Sequence, residues 1–332
     1  MPVPLSLLDL ATVDRGATVG DSLRASVELA QRAEARGFER VWYAEHHNIG
    51  SIASSATSVV IAHVAANTTS IRLGSGGIML PNHSPLVIAE QFGTLASLHP
   101  GRIDLGLGRA PGTDQNTMLA LRRNHASAER FPQDVLELQG YLAGESKVPD
   151  VEAIPGRGTN VPLYILGSSL FGAQLAAALG LPYGFASHFA PGALREAVAI
   201  YREKFRPSAQ LDQPYVIAGV NAIVAEDAEV ARDEARTTAR RRVAILLGRG
   251  RKYTDDEADS ILASPQGAQL RAMATYSAVG TPAEVKAYLE DFARHAVADE
   301  LIVALQSPTA AGRLRSLDLL ADAWGLATPA RT

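Results

Sequence analysis

The sequence predicts an α/β protein folded as a closed (β/α)8 TIM barrel with insertions at the C-terminal face. Two observations lead there. Strand-like and helix-like stretches alternate along the chain, and a helix between successive strands implies crossover connections and a parallel sheet. Eight strand-like stretches can be counted, each followed by helix, and eight such units favour closure over an open sheet. A chain of 332 residues could be divided into two domains by length, but α/β barrels routinely run this long as one unit, so residues 1–332 are read as a single domain.

The elements follow in order. "VPLSLLDL" (3–10) is a continuous apolar run, as a strand buried on both faces requires. Residues 19–36 place Leu23, Val27, Leu29, Ala30 and Ala33 near helical spacing, and Gly37 is a stop signal. "RVWYAE" (40–45) is the second strand, "ASSATSVVIAHVAANT" (53–68) a helix of small residues, and "IRLGSGGIML" (71–80) the third strand. Ser84 and Pro85 open a helix that runs to about Leu98, a capping residue followed by proline in the first turn. "RIDLGLGR" (102–109) is the fourth strand. A helix ending near Ala143 precedes an irregular excursion over 144–162.

"LYILGS" (163–168) is the fifth strand, and the helix "LFGAQLAAAL" (170–179) is stopped by Gly180 and Pro182. "YGFASHF" (183–189) is the sixth strand, 192–205 a helix, and "YVIAGVNAIVA" (215–225) the seventh strand. A long polar and helical stretch occupies 227–294 and contains a capping box at Thr281 and Glu284 with Pro282 between them. "ELIVAL" (300–305) is the eighth strand and 312–324 the closing helix.

Composition narrows the function. Hydrophobic residues make up 47% and charged residues 20%, an ordinary balance for a folded soluble chain. A net charge of -4 gives no basic footprint for nucleic acid. The run "RTTARRR" (236–242) is read as the solvated face of a helix, because acidic residues precede it on the same segment. Cysteine is absent, which removes thiolate catalysis and cysteine-type zinc sites. No apolar run approaches the roughly 20 residues of a membrane helix, and the start of the chain does not read as a signal peptide. The expectation is a cytoplasmic protein with no membrane partner.

In a barrel of this kind, function gathers at the C-terminal ends of the strands. The ends fall at Asp9; at Glu45, His46 and His47; at Ser75, Gly76 and Gly77; at Gly108 and Arg109; at Gly167, Ser168 and Ser169; at Ser187 and His188; and near Asn221. Alternation along the second strand puts Trp42, Ala44 and His46 on one face and Glu45 and His47 on the other. The small Ala44 suits a crowded interior, so His46 is expected to face in. Two diverging histidines do not share a metal, and no metal site is expected.

"LGSSLFGAQL" runs from strand to helix, where free N–H groups and serine hydroxyls make either an anion site or plain N-capping. "GLGRAPG" is one residue off the dinucleotide fingerprint. Its glycines admit close approach to the backbone, and Arg109 offers either a phosphate fork or a surface ion pair. "GSGG" (74–77) reflects either close ligand approach or barrel curvature.

Taken together, "WYAEHH", "SGGIMLPNHSPLVIAEQ", "HPGRIDLGLGRAPG" and "PLYILGSSLFGAQLAAALGLP", with the late "VGTPAEVKAYLEDF", resemble the bacterial luciferase-like flavin monooxygenases. The resemblance implies reduced FMN, or in some branches deazaflavin F420, bound at the strand ends. It implies that His46 stands beside the reactive flavin carbon, with Glu45 and His47 as the family's acid and second histidine. It assigns the flavin phosphate to Arg109 and to the turn of Gly167, Ser168, Ser169 and Gly172, although the luciferases carry an acidic residue where Ser168 stands. It places a bulge, often with a non-proline cis peptide, at Gly76 and Gly77, beside Ser75. Asp9 and Gly108 complete the expected cofactor-binding set.

The implied reaction is two-component oxygenation. An NAD(P)H-dependent flavin reductase supplies FMNH2, oxygen adds to give a peroxyflavin, and a small organic substrate is oxygenated. The segment 247–280 reads either as a lid or as an ordinary helical insertion. The alternatives are F420-dependent hydride transfer, for which Arg122, Arg123, Arg157 and Arg249 would form a basic rim, and a non-catalytic flavin-binding protein. The small-residue helix 53–68 makes a homodimer the expected oligomer.

Overall fold

Nine parallel strands form among the residues described by the computed structural model, which are 2–110, 114–247 and 252–327. They are β1 (Leu5–Asp9), β2 (Arg40–Tyr43), β3 (Arg72–Met79), β4 (Ile103–Gly108), β5 (Leu163–Gly167), β6 (Tyr183–Phe185), β7 (Val216–Val224), β8 (Ser277–Gly280) and β9 (Glu300–Leu305). Strands β1 to β7 pair in sequence order, β7 pairs with β9, and β9 returns to β1. The expected eight-stranded (β/α)8 barrel is therefore closed.

The ninth strand corrects the sequence reading, which treated 227–294 as helical and polar. β7 is long and β6 is short. β6 covers only Val216–Ala218 of β7, while β9 covers the other edge as far as Ala222. The upper part of the β6-side edge, Asn221–Val224, is taken by β8 instead. β8 has four residues, "SAVG", of which only Ala278 and Gly280 are buried, so it carries no strand-length apolar run. β6 itself ends at Phe185 rather than continuing through Phe189, as Ser187 turns its hydroxyl onto Gly219 O at 2.6 Å.

The outer layer is α1 (Val19–Ala35), α2 (Thr57–Ala65), α3 (Pro85–Leu98), α4 (Gln115–Ala120), α5 (Phe131–Ala143), α6 (Leu170–Leu179), α7 (Leu194–Lys204), α8 (Ala228–Leu247), α9 (Asp255–Ala263), α10 (Ala268–Ala272), α11 (Pro282–Ala296) and α12 (Ala310–Trp324). The predicted capping box at Thr281 and Glu284 opens α11, and Gly180 closes α6 in the left-handed region at φ 66°. Pro85 begins α3, but Ser84 makes no side-chain cap bond. α2 buries Val60, Ile61 and Val64 against the barrel and exposes Val59.

The excursion over 144–162 packs along α3, where a side chain on Gly93 would collide with Gly156 and one on Gly156 with Ala89 O. The insertion after β7 has a core of its own, Val243, Ala258 and Leu270, and α8 is tied to α9 by Arg240, which reaches Asp255 at 2.6 Å and Asp259. The part of the lid expectation at 248–251 lies outside the described residues. No described helix is long and apolar enough to cross a membrane.

Two hydrophobic layers result from the alternation of side chains across the strands. Leu5, Leu7, Val41, Tyr43 and Leu73 point outward to the helices. Leu8, Trp42, Ala44, Tyr164, Ile217, Ile302 and Ala304 fill the barrel. Trp42 and Tyr164 meet edge to face at 4.9 Å, and these bulky rings dictate what stands opposite them. A Cβ on Gly74 would meet Asp104, one on Gly76 would meet Leu8 and Trp42, and one on Gly77 or Gly106 would meet Leu166. The barrel's own packing therefore requires glycine at 74, 76, 77 and 106.

Candidate active site

Glu45 organises the mouth of the barrel. The backbone keeps its pairing beyond β2, with Ala44 N–H donating to Asp9 O at 3.2 Å and Glu45 N–H to Gly77 O at 3.3 Å. Alternation therefore persists, and Glu45 turns away from the lumen into a fully buried pocket. Its carboxylate accepts from Met79 N–H at 2.8 Å, from His47 Nε2 at 2.8 Å and from His83 Nε2 at 2.9 Å. Burial alone would raise its pKa, but the hydrogen bond and charge of His83, then the bonds from His47 and Met79, outweigh it and hold the carboxyl below its ordinary range. An ionised carboxylate only accepts, so both imidazoles present Nε2–H to it.

His83 was not singled out from the sequence. Its signal was a histidine in "LPNHSP", at the end of a short 3-10 turn over Leu80–Asn82. This network braces the third strand where it breaks regularity. The register of β3 against β4 shifts between Ser75 and Ile78, and the Gly76–Gly77 peptide is cis. The bulge therefore stands where the resemblance placed it. Ser75 is fully buried and spends its hydroxyl on Gly106 O at 2.8 Å.

His46 is half-buried, and its carbonyl accepts from Ser55 Oγ at 2.8 Å; parity with the lumenal Trp42 and Ala44 assigns its side chain to the lumenal side. His188 faces it from beyond β6. The ring of His188 occupies the space that Gly219 leaves on the lumenal face of β7, where a Cβ would lie 2.4 Å from His188 Nδ1. Asn221 Nδ2 fixes the His188 carbonyl at 2.7 Å, while His188 Nδ1 is buried with no hydrogen-bond partner. Burial first, then the nearby charges of His46 and Arg242, push the His188 pKa down to about 4. The sequence reading noted His188 and Asn221 as strand-end residues and gave them no role.

A second cluster forms across β4 and β5. Ser169 is the N-cap of α6, yet among the described residues neither it nor any other side chain caps the helix. The alternative of plain N-capping is thus removed, and the first N–H groups of α6 stay available. Gly167 has open space where a Cβ would lie, Ser168 is half-buried, Ser169 is exposed, and Gly172 is buried against Tyr183. Arg109 leaves β4 and sets its guanidinium 4.2 Å over the ring of Phe171, in the first turn of α6. It is exposed and makes no ion pair among the described residues. Gly108 sits behind, facing the flexible side chain of Met79.

Other expectations are not met. Asp9 faces the helix layer. Its carboxylate accepts from Ala11 N–H at 2.9 Å and Ser26 Oγ at 2.5 Å, because Leu5, Leu7 and Asp9 share the outward face of β1. It is turned from the mouth and leaves the cofactor-binding set. Arg157 pairs with Glu152 at 2.8 Å on the excursion along α3, so it does not belong to a basic rim at the mouth. Arg123 donates to Asn82 O at 3.2 Å, and Arg122 is exposed. Arg249, the glycines at 248 and 250, and Gly112 of the "GLGRAPG" run lie outside the described residues. No described group of acidic residues and histidines is arranged to hold a metal.

A sequence profile of the luciferase-like monooxygenases matches residues 3–300. The chain belongs to this family. It is 46% identical over 325 residues to a luciferase-like monooxygenase of Escherichia coli (strain K12), with 96% of each chain covered. It is 36% identical over 264 residues to N-acetyl-S-alkylcysteine monooxygenase of Bacillus subtilis (strain 168), with 75% of each covered. The structure of apo-MsnO8 superimposes with a TM-score of 0.87 at 36% identity, covering 98% of this chain and 100% of that one. More distant structures share the fold. They include the oxygenating constituent of 3,6-diketocamphane monooxygenase in complex with FMN, at 16% identity and TM-score 0.73 over 99% and 100% of the two chains. They also include an F420-dependent secondary alcohol dehydrogenase, at 17% identity and TM-score 0.69 over 98% and 99%.

Proposed function

We propose that this chain is the oxygenating component of a two-component system that binds reduced FMN at the barrel mouth and oxygenates a small organic substrate with O2. The observation that carries the reading is the cluster at the start of α6. Uncapped helix N–H groups, the open backbone at Gly167, the hydroxyls of Ser168 and Ser169 and Arg109, unpaired among the described residues, converge there, and this donor set fits a phosphate monoester. Family membership and the FMN-bound fold neighbour support the same cofactor. F420 remains the other reading of the fold, but the basic rim that its acidic tail would require is not assembled among the described residues.

Bound reduced FMN supplies two electrons and the carbon at which O2 is activated. The chain's own residues do the rest. Arg109 and the start of α6 anchor the phosphate, and the bulge at Gly76 and Gly77 shapes the lumenal wall on the β3 side. His46 holds or delivers a proton at the lumenal face, work suited to imidazole near neutral pH. Glu45 acts on His47 and His83 and keeps the loop after β3 in place, which makes it a positioning residue. α8 and the elements after it would help to exclude water. Reduction takes place elsewhere, on an NAD(P)H-dependent flavin reductase.

The test is a single turnover. Protein loaded anaerobically with FMNH2 is mixed with O2, and reoxidation of the flavin is followed by absorbance. The wild type should change the reoxidation rate of bound flavin relative to free flavin, and His46→Ala should bind FMNH2 as before while losing that change. Identical kinetics for free flavin, wild type and variant would remove the oxygenase reading.

A further inference from the structure

α8 carries five arginines, and four of them are accounted for. Arg232 pairs with Glu229 at 3.8 Å, Arg236 with Asp233 at 3.2 Å and Arg240 with Asp255 at 2.6 Å, while Arg241 donates to Pro308 O at 2.5 Å. Arg242 differs. It is half-buried, and it makes no ion pair or hydrogen bond among the described residues. Its charge reaches His188 instead. The "RTTARRR" run is therefore not one solvated face, because its last member is half-buried and its charge acts on His188. His188 in turn lies on the lumenal face over Gly219, with a buried Nδ1 that has no partner, and it stands within electrostatic reach of His46.

A desolvated guanidinium without a counter-charge is costly, and it cannot shed its proton to relieve the cost. Its depressed pKa has burial as its cause, with no carboxylate acting against it. We propose that Arg242 and His188 bind a carboxylate on the substrate, so that the molecule oxygenated at His46 carries one free carboxylic acid group. The charge count selects a carboxylate. His188 is neutral at pH 7, so the pair offers a single positive charge plus an imidazole N–H, which balances a monoanion. A phosphate, carrying close to two negative charges, would be left under-neutralised here and is served by the separate cluster at Arg109 and α6. A guanidinium fork also matches the two oxygens of a carboxylate. The word substrate rests on the oxygenase reading above; the binding site itself does not.

The experiment uses the full chain without added flavin and compares hexanoate, hexanamide and hexyl phosphate by ligand-observed NMR titration. The wild type should bind hexanoate about tenfold or more tightly than hexanamide, the scale of a charge-assisted hydrogen bond. Arg242→Gln should bring the two probes level, Arg242→Lys should keep part of the preference, and Arg236→Gln, on the exposed face, should keep all of it. Equal affinity of the wild type for hexanoate and hexanamide would overturn the proposal. So would absence of hexanoate binding, tighter binding of hexyl phosphate than of hexanoate at an Arg242-dependent site, or a preference that survives Arg242→Gln. A hexanoate preference in a protein that binds no FMNH2 would uphold this site while removing the flavin reading.

Discussion

The two ends of the barrel lumen are built from similar residue types to opposite ends. At the floor, Arg40 lies between Glu300, at 2.9 Å, and Asp104, at 2.8 Å, and both carboxylates are fully buried. Ser6 Oγ at 2.5 Å and Tyr215 OH at 2.7 Å complete Glu300, while Trp42 Nε1 at 3.1 Å and Arg72 complete Asp104. Tyr164 donates no charge but accepts from Arg40 at 2.9 Å, and its own pKa is pushed up to about 12, mainly by burial. Among these groups each charge has its counter-charge. At the mouth, among the described residues, His188 Nδ1 is an orphan, Arg242 and Arg109 pair with no carboxylate, and no side chain caps the start of α6. A polar network closed on itself serves the fold, and one left incomplete is where a ligand can complete it.

The largest expected break of this contrast is at the floor. Arg40→Met leaves two buried carboxylates without their partner and should cost about 3–5 kcal/mol of stability in urea denaturation. Arg242→Met, which removes an unpaired charge, should cost little or even stabilise, and an equal loss from both variants would erase the distinction.

The next effect is pH-dependent. His188 has a pKa of about 4 when folded and about 6.5 when unfolded. Between those values the unfolded chain binds the extra proton, so stability rises with pH and the contribution is lost as pH falls from 6.5 toward 4. The full swing is about 3 kcal/mol, and His188→Gln should flatten that limb of a urea midpoint against pH profile. Glu45 acts in the same direction, since its depressed pKa adds stability that disappears at lower pH, so the variant should flatten the profile only in part.

Glycine replacement sharpens the same contrast. Gly106→Ala would set a Cβ 2.2 Å from Ser75 O and should cost about 1–3 kcal/mol or more. Gly167→Ala meets open space and should shift stability by no more than about 0.5 kcal/mol, with its effect appearing in FMNH2 affinity instead. Comparable destabilisation by the two would place Gly167 in the packed wall.

The barrel was readable because its signal is repeated. Eight apolar strands and the helices between them report the same architecture, so one ambiguous element does not alter it. β8 was not readable, because its reason for existing is an open edge on β7, which is a property of the assembled sheet. The same division holds at the site. The lumenal side for His46 is read from alternation past Ala44, which itself lines the lumen. The roles of His83, His188 and Arg242 depend on elements distant in sequence: His83 on Glu45, His188 on Gly219, and Arg242 on its charge acting at His188. Asp9 misled because proximity to a strand end was taken without its parity, and the packing need for the glycines of β3 was not legible because their neighbours Trp42, Leu8 and Leu166 come from other strands.

The measurement that tests the account most directly is anaerobic equilibrium binding of reduced FMN and of F420, in parallel, to the wild type and to Arg109→Ala. The account predicts that the wild type binds FMNH2 in preference to F420, and that Arg109→Ala weakens FMNH2 by about tenfold or more without loss of stability. Preference for F420, or FMNH2 affinity unchanged by Arg109→Ala, would contradict it.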